Sequence, residues 1–437
     1  MSKYIAPILL SFALLLSEVQ LVQADSPSGQ TVSLARLLDA GAKNHPATAK
    51  HELLAESLRL SRKKLSRTYW PELSASASAT WQSDVTSLDI ALPGVTLAPP
   101  PKEQYRATLD LRQKIWDGGV SSKQRTLSEN LIAIETEKTN LEWYQVRERI
   151  LQLYFAGVIQ QERREQALAL EGNLERIIEN VRTLLENGMV TNRDLVLVQA
   201  RKLEARQAIA DAEAQILSAK KSIEDLTGVA ISANERLYAP GRHCAPTTAR
   251  ATAEGLQRPD LALLAAQEQV LHAKNDMERV SDRPKVVAFA TGGFGRPGLN
   301  FLEDNPSAYF IGGVSLQVPL TYLYTGKRDT ARQQLAIQKS LIARQHDSLT
   351  LQIRTQIDSQ ESDLTRLQVA IAHDSELLSL RVRAREQTEL QLSLGTATMT
   401  DLVSDLSEED VARARGVIHK VQRDLACHKL AHIKGTL

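Results

Sequence analysis

Gly188-Met189-Val190-Thr191-Asn192-Arg193-Asp194-Leu195 and Gly395-Thr396-Ala397-Thr398-Met399-Thr400-Asp401-Leu402 are one pattern written twice. In each, a glycine suited to a left-handed helix end is followed by Thr-x-x-Asp, the spacing of a capping box that opens the next helix. Each stretch is therefore read as the tight tip of an antiparallel helical hairpin.

Working outward, the offset between the tips recurs. Gly119 and Gly326 share it, and Pro46 and Pro71 find counterparts, slightly shifted, in Pro259 and Pro284. Agreement in order along the chain indicates an internal duplication. Each copy reads as short helix, strand, loop, strand, long helix, tight turn and second long helix. The short helices are Ala47 to Thr68 and Asp260 to Asp282. Between Gly326 and Gly395 there is no glycine or proline, so one helix there would be a rod on the order of 100 Å. The equivalent stretch after Gly119 has no proline and contains two glycines, Gly157 and Gly172. Leu174, Ile177, Val181 and Leu184 step by three and four, as do Ile209, Ala212, Ile216, Ala219, Ile223 and Leu226. Leu364, Leu367 and Ile371, and Ala414, Val417, Val421 and Leu425, do the same, so the long helices form coiled-coil seams.

The strands alternate. Leu73, Ala75, Ala77, Ala79 and Trp81 are separated by Ser74, Ser76, Ser78 and Thr80. Ala107, Leu109 and Leu111 alternate with Thr108, Asp110 and Arg112. Val314, Leu316 and Val318 alternate with Ser315 and Gln317, and Val286 to Phe294 is a less regular partner. The period of two gives one apolar and one polar face. Loops rich in Pro, Gly and Asp, Ser83 to Glu103 and Arg296 to Pro306, join the strands. About ten residues suffices to cross a bilayer on a tilt. A bilayer accepts strands only in a closed barrel, and four strands cannot close. Two chains would give eight strands and little bore, whereas three give twelve and a lumen.

Lys+Arg is 53 and Asp+Glu is 52, a balance that offers no basic face for nucleic acid. Aromatics make up 4%, too few for one large globular core. Lys3, the apolar run Ile5 to Leu16 and Val22-Gln23-Ala24 read as a secretory signal, with cleavage expected after Ala24. No Cys follows the apolar run, so a lipid-modified N-terminus is not indicated. There is no P-loop, no GxGxxG and no zinc motif, so neither enzymatic activity nor a cofactor is expected.

Arg258-Pro259-Asp260-Leu261, Trp116-Asp117-Gly118-Gly119 and the two tips together resemble the TolC-type outer-membrane efflux and secretion channels, over Thr31 to His428. The resemblance implies a mainly α fold with membrane β-strands: a trimer with a twelve-stranded outer-membrane β-barrel and a periplasmic coiled-coil tunnel. The implied work is passive export, efflux or type I secretion, alongside a periplasmic adaptor and an inner-membrane transporter. The chain divides into a signal peptide (1–24), a first repeat (25–228), an equatorial linker (229–257), a second repeat (258–428) and a tail (429–437). At the periplasmic aperture the resemblance points to Asp401, which also caps its helix, with Asp405 nearby; the family position three after Asp401 is Ser404 here. Three copies of Asp401 would form a ring that disfavours anions. Asp194 is a cap first. Arg201 is a candidate gating partner, although it lies two residues later than the family pattern and also reads as a solvated helix face. Gly188, Met189, Val190, Gly395, Thr396 and Ala397 mark the tip grooves where an adaptor would dock, and the turns need those glycines in any case. Cys244 and Cys427, each beside a histidine (His243 and His428), are expected to pair as a disulfide in preference to holding a metal. The competing reading is a periplasmic coiled-coil adaptor or scaffold, against which stand two hairpins and no long β-rich segment.

Overall fold

Both halves of the chain run through one order of elements. The structure, a computed structural model, describes residues 31–85, 101–241, 244, 256–300, 305–320 and 324–437. The signal segment 1–24, His243, and parts of both strand loops and of the 229–257 linker lie outside the described residues. In chain order the elements are β1 (Thr31–Val32), α1 (Leu34–Asn44), α2 (Pro46–Ser66), β2 (Glu72–Trp81), β3 (Glu103–Trp116), α3 (Val120–Glu186), α4 (Asn192–Thr227), β4 (Arg236–Leu237), α5 (Pro259–Ser281), β5 (Lys285–Arg296), β6 (Ser307–Gln317), α6 (Lys327–Ser393) and α7 (Met399–Ile433). From α2 to α4 and again from α5 to α7 the succession is helix, strand, strand, long helix, long helix.

Proline opens both short helices, at Pro46 and Pro259, where its missing N–H costs nothing. The long helices α3 and α6 each hold 67 residues, about 100 Å. Helix α3 runs straight through Gly157 and Gly172. Gly157 is there for packing, since a Cβ on it would stand 2.6 Å from Leu237 Cδ1. On α4 the residues Val198, Ala205, Ala212 and Ala219 are buried, one heptad apart, as a supercoiled seam requires. On α6 the buried set is Ile353, Ile357, Leu364, Leu367 and Asp374. No described helix is long and apolar enough to cross a membrane.

Halfway along the rods a compact belt forms, and the part that β1 and α1 play in it is what the sequence reading did not contain. The parallel bridge β1·β4 and helix α1 close over Ile150, Leu151, Tyr154 and Phe155 of α3 and Ile223 of α4. Tyr154 Oη lies 2.7 Å from Val32 O and 2.6 Å from Tyr238 O, and accepts the Tyr238 N–H at 3.0 Å. Lys220, buried, donates to the carbonyls of Ser232, Ala233 and Glu235 at 3.0, 2.7 and 2.6 Å. All three ammonium protons are thereby used, and the linker is held against α4. Cys244 and Cys427 form a disulfide with Cα atoms 5.8 Å apart, packed on Ile353, Ile357 and Leu364. It fastens the linker between the repeats to the last helix.

The remaining strands form one sheet, β2-β3-β5-β6, antiparallel throughout. The two repeats meet at its centre, where β3 pairs with β5. Within the chain β2 and β6 each pair on one side only.

Candidate functional site

The sheet's register sorts its side chains into two unlike faces. Ala77 lies opposite Ala107, which lies opposite Phe294, which lies opposite Ala308. The row below reads Ala75, Leu109, Gly292, Phe310, and the next Leu73, Leu111, Ala290, Gly312. Every member of these rows is apolar or glycine, and several are wide open: Phe310 is 72% exposed and Leu73 63%. A β-bulge between Lys114 and Trp116 brings Trp116 opposite Val286 and onto this same face. The other face is polar. Ser76 and Thr108 share a hydrogen bond of 2.8 Å, Thr108 donates to Asp110 at 2.9 Å, and Thr291 donates to the other oxygen of Asp110 at 2.5 Å. Three central rows of apolar residues with nothing packed on them among the described residues, backed by a hydrogen-bonded polar face, suit lipid on one side and water on the other.

At the opposite end of the rods are the tips. Gly188 and Gly395 have φ of 69° and 75°, the left-handed conformation that ends α3 and α6. Thr398 and Asp401 form a reciprocal capping box, with the Asp401 N–H donating to Thr398 Oγ1 at 3.3 Å, whereas at the first tip the Asp194 N–H donates to the Thr191 carbonyl at 3.0 Å. Asp401 Oδ2 accepts the backbone N–H of Thr398 at 2.9 Å and its hydroxyl at 2.6 Å; Asp194 Oδ2 accepts from Thr191 at 2.9 and 2.7 Å. The hydrogen bond from the threonine side chain is the main reason each carboxyl sits below its usual range, so both are charged. Each still has one oxygen with no hydrogen bond among the described residues. Asp405 is committed across its hairpin, accepting from the Thr388 hydroxyl at 2.5 Å.

Arg201 is not brought to Asp401 or Asp405. It pairs with Glu204 at 2.6 Å and lines a cavity of about 380 Å³ with Asp410 of α7. Burial pushes the Asp410 carboxyl up, and Arg201 opposes the rise. Met189 is 65% exposed at the first tip. Val190 is partly buried against the core cluster that contains Val181 and Val198. At the second tip Thr396 and Ala397 lie over the end of α6, both returning hydrogen bonds to Gln391 O. Met399, Leu402, Val403 and Leu406 join the same core as the first tip, so the two hairpin ends are one packed unit.

Polar ties between the rods were not singled out from sequence. Glu409 takes Arg385 at 2.6 Å and Arg413 at 2.7 Å, while Arg381 meets Glu408 and His419 meets Asp374 at 2.6 Å. In the first hairpin Lys202 meets Glu175, Arg206 meets Glu171 and Arg164 meets Glu213. The partners sit at nearly mirror positions about their tips. With the tips placed, folding the sequence back on itself would have found most of them.

Among the described residues no cluster could hold a metal ion.

Residues 37–229 match the family model described as outer membrane efflux protein. No curated protein sequence gives a match. Among solved structures, the fold is similar to the outer membrane protein VceC of Vibrio cholerae, with TM-score 0.64 and 15% identity over 92% of this chain and 96% of that one. It is similar to the CmeC outer membrane channel of Campylobacter jejuni, with TM-score 0.67 and 14% identity over 92% and 85%. The open-state MtrE outer membrane channel of Neisseria gonorrhoeae gives TM-score 0.68 and 14% identity over 92% and 88%.

Proposed function

We propose that this chain is an outer-membrane efflux protein of the TolC type and works as one third of a homotrimeric conduit that passes solutes across the periplasm and outer membrane. The observation that carries the reading is the sheet. Among the described residues its apolar face has no cover, and its two outer strands are each left with one unpaired edge. An edge of unpaired N–H and C=O groups is not tolerated in lipid. Because the four strands are antiparallel and even in number, β6 of one copy can meet β2 of the next in the same antiparallel sense. Three copies then close a twelve-stranded barrel with its polar face inward, and six helical hairpins continue below it as a tube.

The same reading gives the rest of the molecule its work. The joined tips are the periplasmic end, where three copies of Asp401 form an acidic ring and Asp194 and Asp405 add charge. Arg201, held near Asp410, acts through the α4–α7 packing and not through the ring. The tip residues Gly188, Met189, Val190, Gly395, Thr396 and Ala397 offer the docking surface for a periplasmic adaptor, which in turn links to an inner-membrane transporter. No step of this work is chemical, and the chain is not proposed to be an enzyme.

The test is the native mass of the protein extracted from the outer membrane in detergent, with heat-modifiability on SDS gels. A trimer that resists SDS until boiled is expected. A monomer or dimer released without detergent would remove the barrel and favour a periplasmic scaffold.

A further inference from the structure

The polar face of the sheet carries more than hydroxyls. The register places Arg106 opposite Ser78 and Gly295, Arg112 opposite Glu72 and Phe289, Lys114 opposite Val287, and Lys285 opposite Gln317. All four are on the face of Thr108 and Asp110. Its carboxylates are Glu72 and Asp110, and Asp110 already accepts from Thr108 and Thr291. Cations therefore outnumber anions on this face, and none of the four is in an ion pair among the described residues. Arg106 also stands clear: its cross-strand neighbours are a serine and a glycine, and Gly295 is opposite Ser307.

We propose that the barrel lumen is an electropositive passage that favours anionic solutes over cations, with Arg106 and Arg112 setting that preference. The proposal rests on the trimeric-channel reading above. Three copies repeat the excess around the bore. Charge on a wall backed by low-dielectric lipid has its field focused into the water it encloses. At physiological ionic strength that field reaches about 8 Å, so wall cations act on ions well inside the bore. Rings of Arg or Lys select anions in pores by this means. The sign is opposite to that of the aspartates at the periplasmic tip, so the two ends of one conduit would sort charge differently. Anionic solutes that have passed the tip would meet a favourable exit.

The experiment is single-channel recording of the purified full-length protein in planar bilayers under a KCl gradient. The chloride-to-potassium permeability ratio of wild type is compared with that of the Arg106→Glu, Arg112→Glu double variant, after both are checked as SDS-resistant trimers. The ratio is expected to fall by at least about threefold; conducting double-variant channels with an unchanged ratio would overturn the assignment. If the charge-reversed protein does not assemble, Arg106→Cys supplies a second reading. Its thiol should react faster with an anionic than with a cationic methanethiosulfonate, and equal or reversed rates refute the proposal. Wild-type trimers that never conduct would refute the channel reading, and this inference with it.

Discussion

Placing one arginine on the apolar face of the sheet, and another on the polar face, tests the orientation on which the barrel depends. Ala107 is the position to use: it lies mid-strand between Ala77 and Phe294. Strand β2, with 10 residues, spans about 34 Å at ~3.4 Å per residue. Tilted by roughly 40°, it covers about 26 Å of membrane depth, close to the apolar band of about 25 Å that such barrels present. Ala107 thus falls near the bilayer midplane. An arginine there costs about 2–4 kcal/mol per chain, and a trimer carries three, so about 6–12 kcal/mol of assembly free energy is at stake. The control is Ser74→Arg. Ser74 is opposite Asp110 on the polar face, where an opposite charge directly across contributes about 0.2–1 kcal/mol in favour. The assay is the fraction of SDS-resistant trimer in outer membranes as temperature rises. Ala107→Arg should lose the trimer band at temperatures where wild type and Ser74→Arg keep it. If both variants behave alike, the two faces do not see lipid and water, and the barrel argument fails.

Four further outcomes follow from the packing. Glu409→Ala, which leaves Arg385 half-buried without its main partner, should cost about 1–3 kcal/mol. Although burial pushes it up, Arg413 and Arg385 hold the Glu409 carboxyl below 4.5, so its contribution is complete above pH 4.5 and is lost as pH falls through the lowered value; thermal melts across pH should show this. His432, stacked on Tyr144, has its pKa lowered from 6.5 to about 4 by burial and by Arg147 and Arg258. The unfolded chain therefore binds the extra proton first, stability falls as pH drops from 6.5 towards 4, and His432→Phe should flatten that slope in the same melts. Reducing the Cys244–Cys427 bond, which spans a sequence separation of 183, should cost about 2–5 kcal/mol; two alkylatable thiols in unreduced protein would show that the bond is absent. Asp401→Ala should raise the resting conductance of trimers in planar bilayers, and an unchanged conductance would count against the acidic ring.

The duplication, the rods, the tips and the strands were legible because each has a local signature. A glycine with a Thr-x-x-Asp box reports a hairpin tip whatever surrounds it, and alternation reports a strand face. The belt was expected only as an equatorial linker, and the part that β1 and α1 play in it was not legible. The parallel bridge between β1 and β4 holds two residues on each side, too short to show any period, and α1 joins α2 with His45 alone between them. The role of Gly157 was hidden for a related reason: it makes room for Leu237, which is distant in sequence. The tip carboxylates were found as caps, and their hydrogen bonds are those of caps. Nothing local in the sequence could show that Arg201 turns towards Asp410, because that contact depends on how α4 packs on α7.

The distribution of burial explains why these parts need one another. Helix α3 is buried at many points along its length, whereas α6, equally long, is buried at only a few and chiefly near the belt. Along α6 the residues Ile337, Leu341, Leu351, Val369, Leu380 and Leu390 are each at least 49% exposed. At about 25 cal/mol per Å² such surface is expensive to leave in water, and it extends beyond what monomeric proteins usually expose. The lone chain is thus incomplete: the sheet lacks lipid and strand partners, and an apolar face of α6 lacks a helical neighbour among the described residues. A ring of copies meets both needs at once, since closing the barrel through β2 and β6 also sets the hairpins of adjacent copies side by side. Assembly should therefore be cooperative between barrel and tunnel. A substitution that spoils only the α6 face, such as Leu380→Asp, should weaken the SDS-resistant trimer although it is far from any strand.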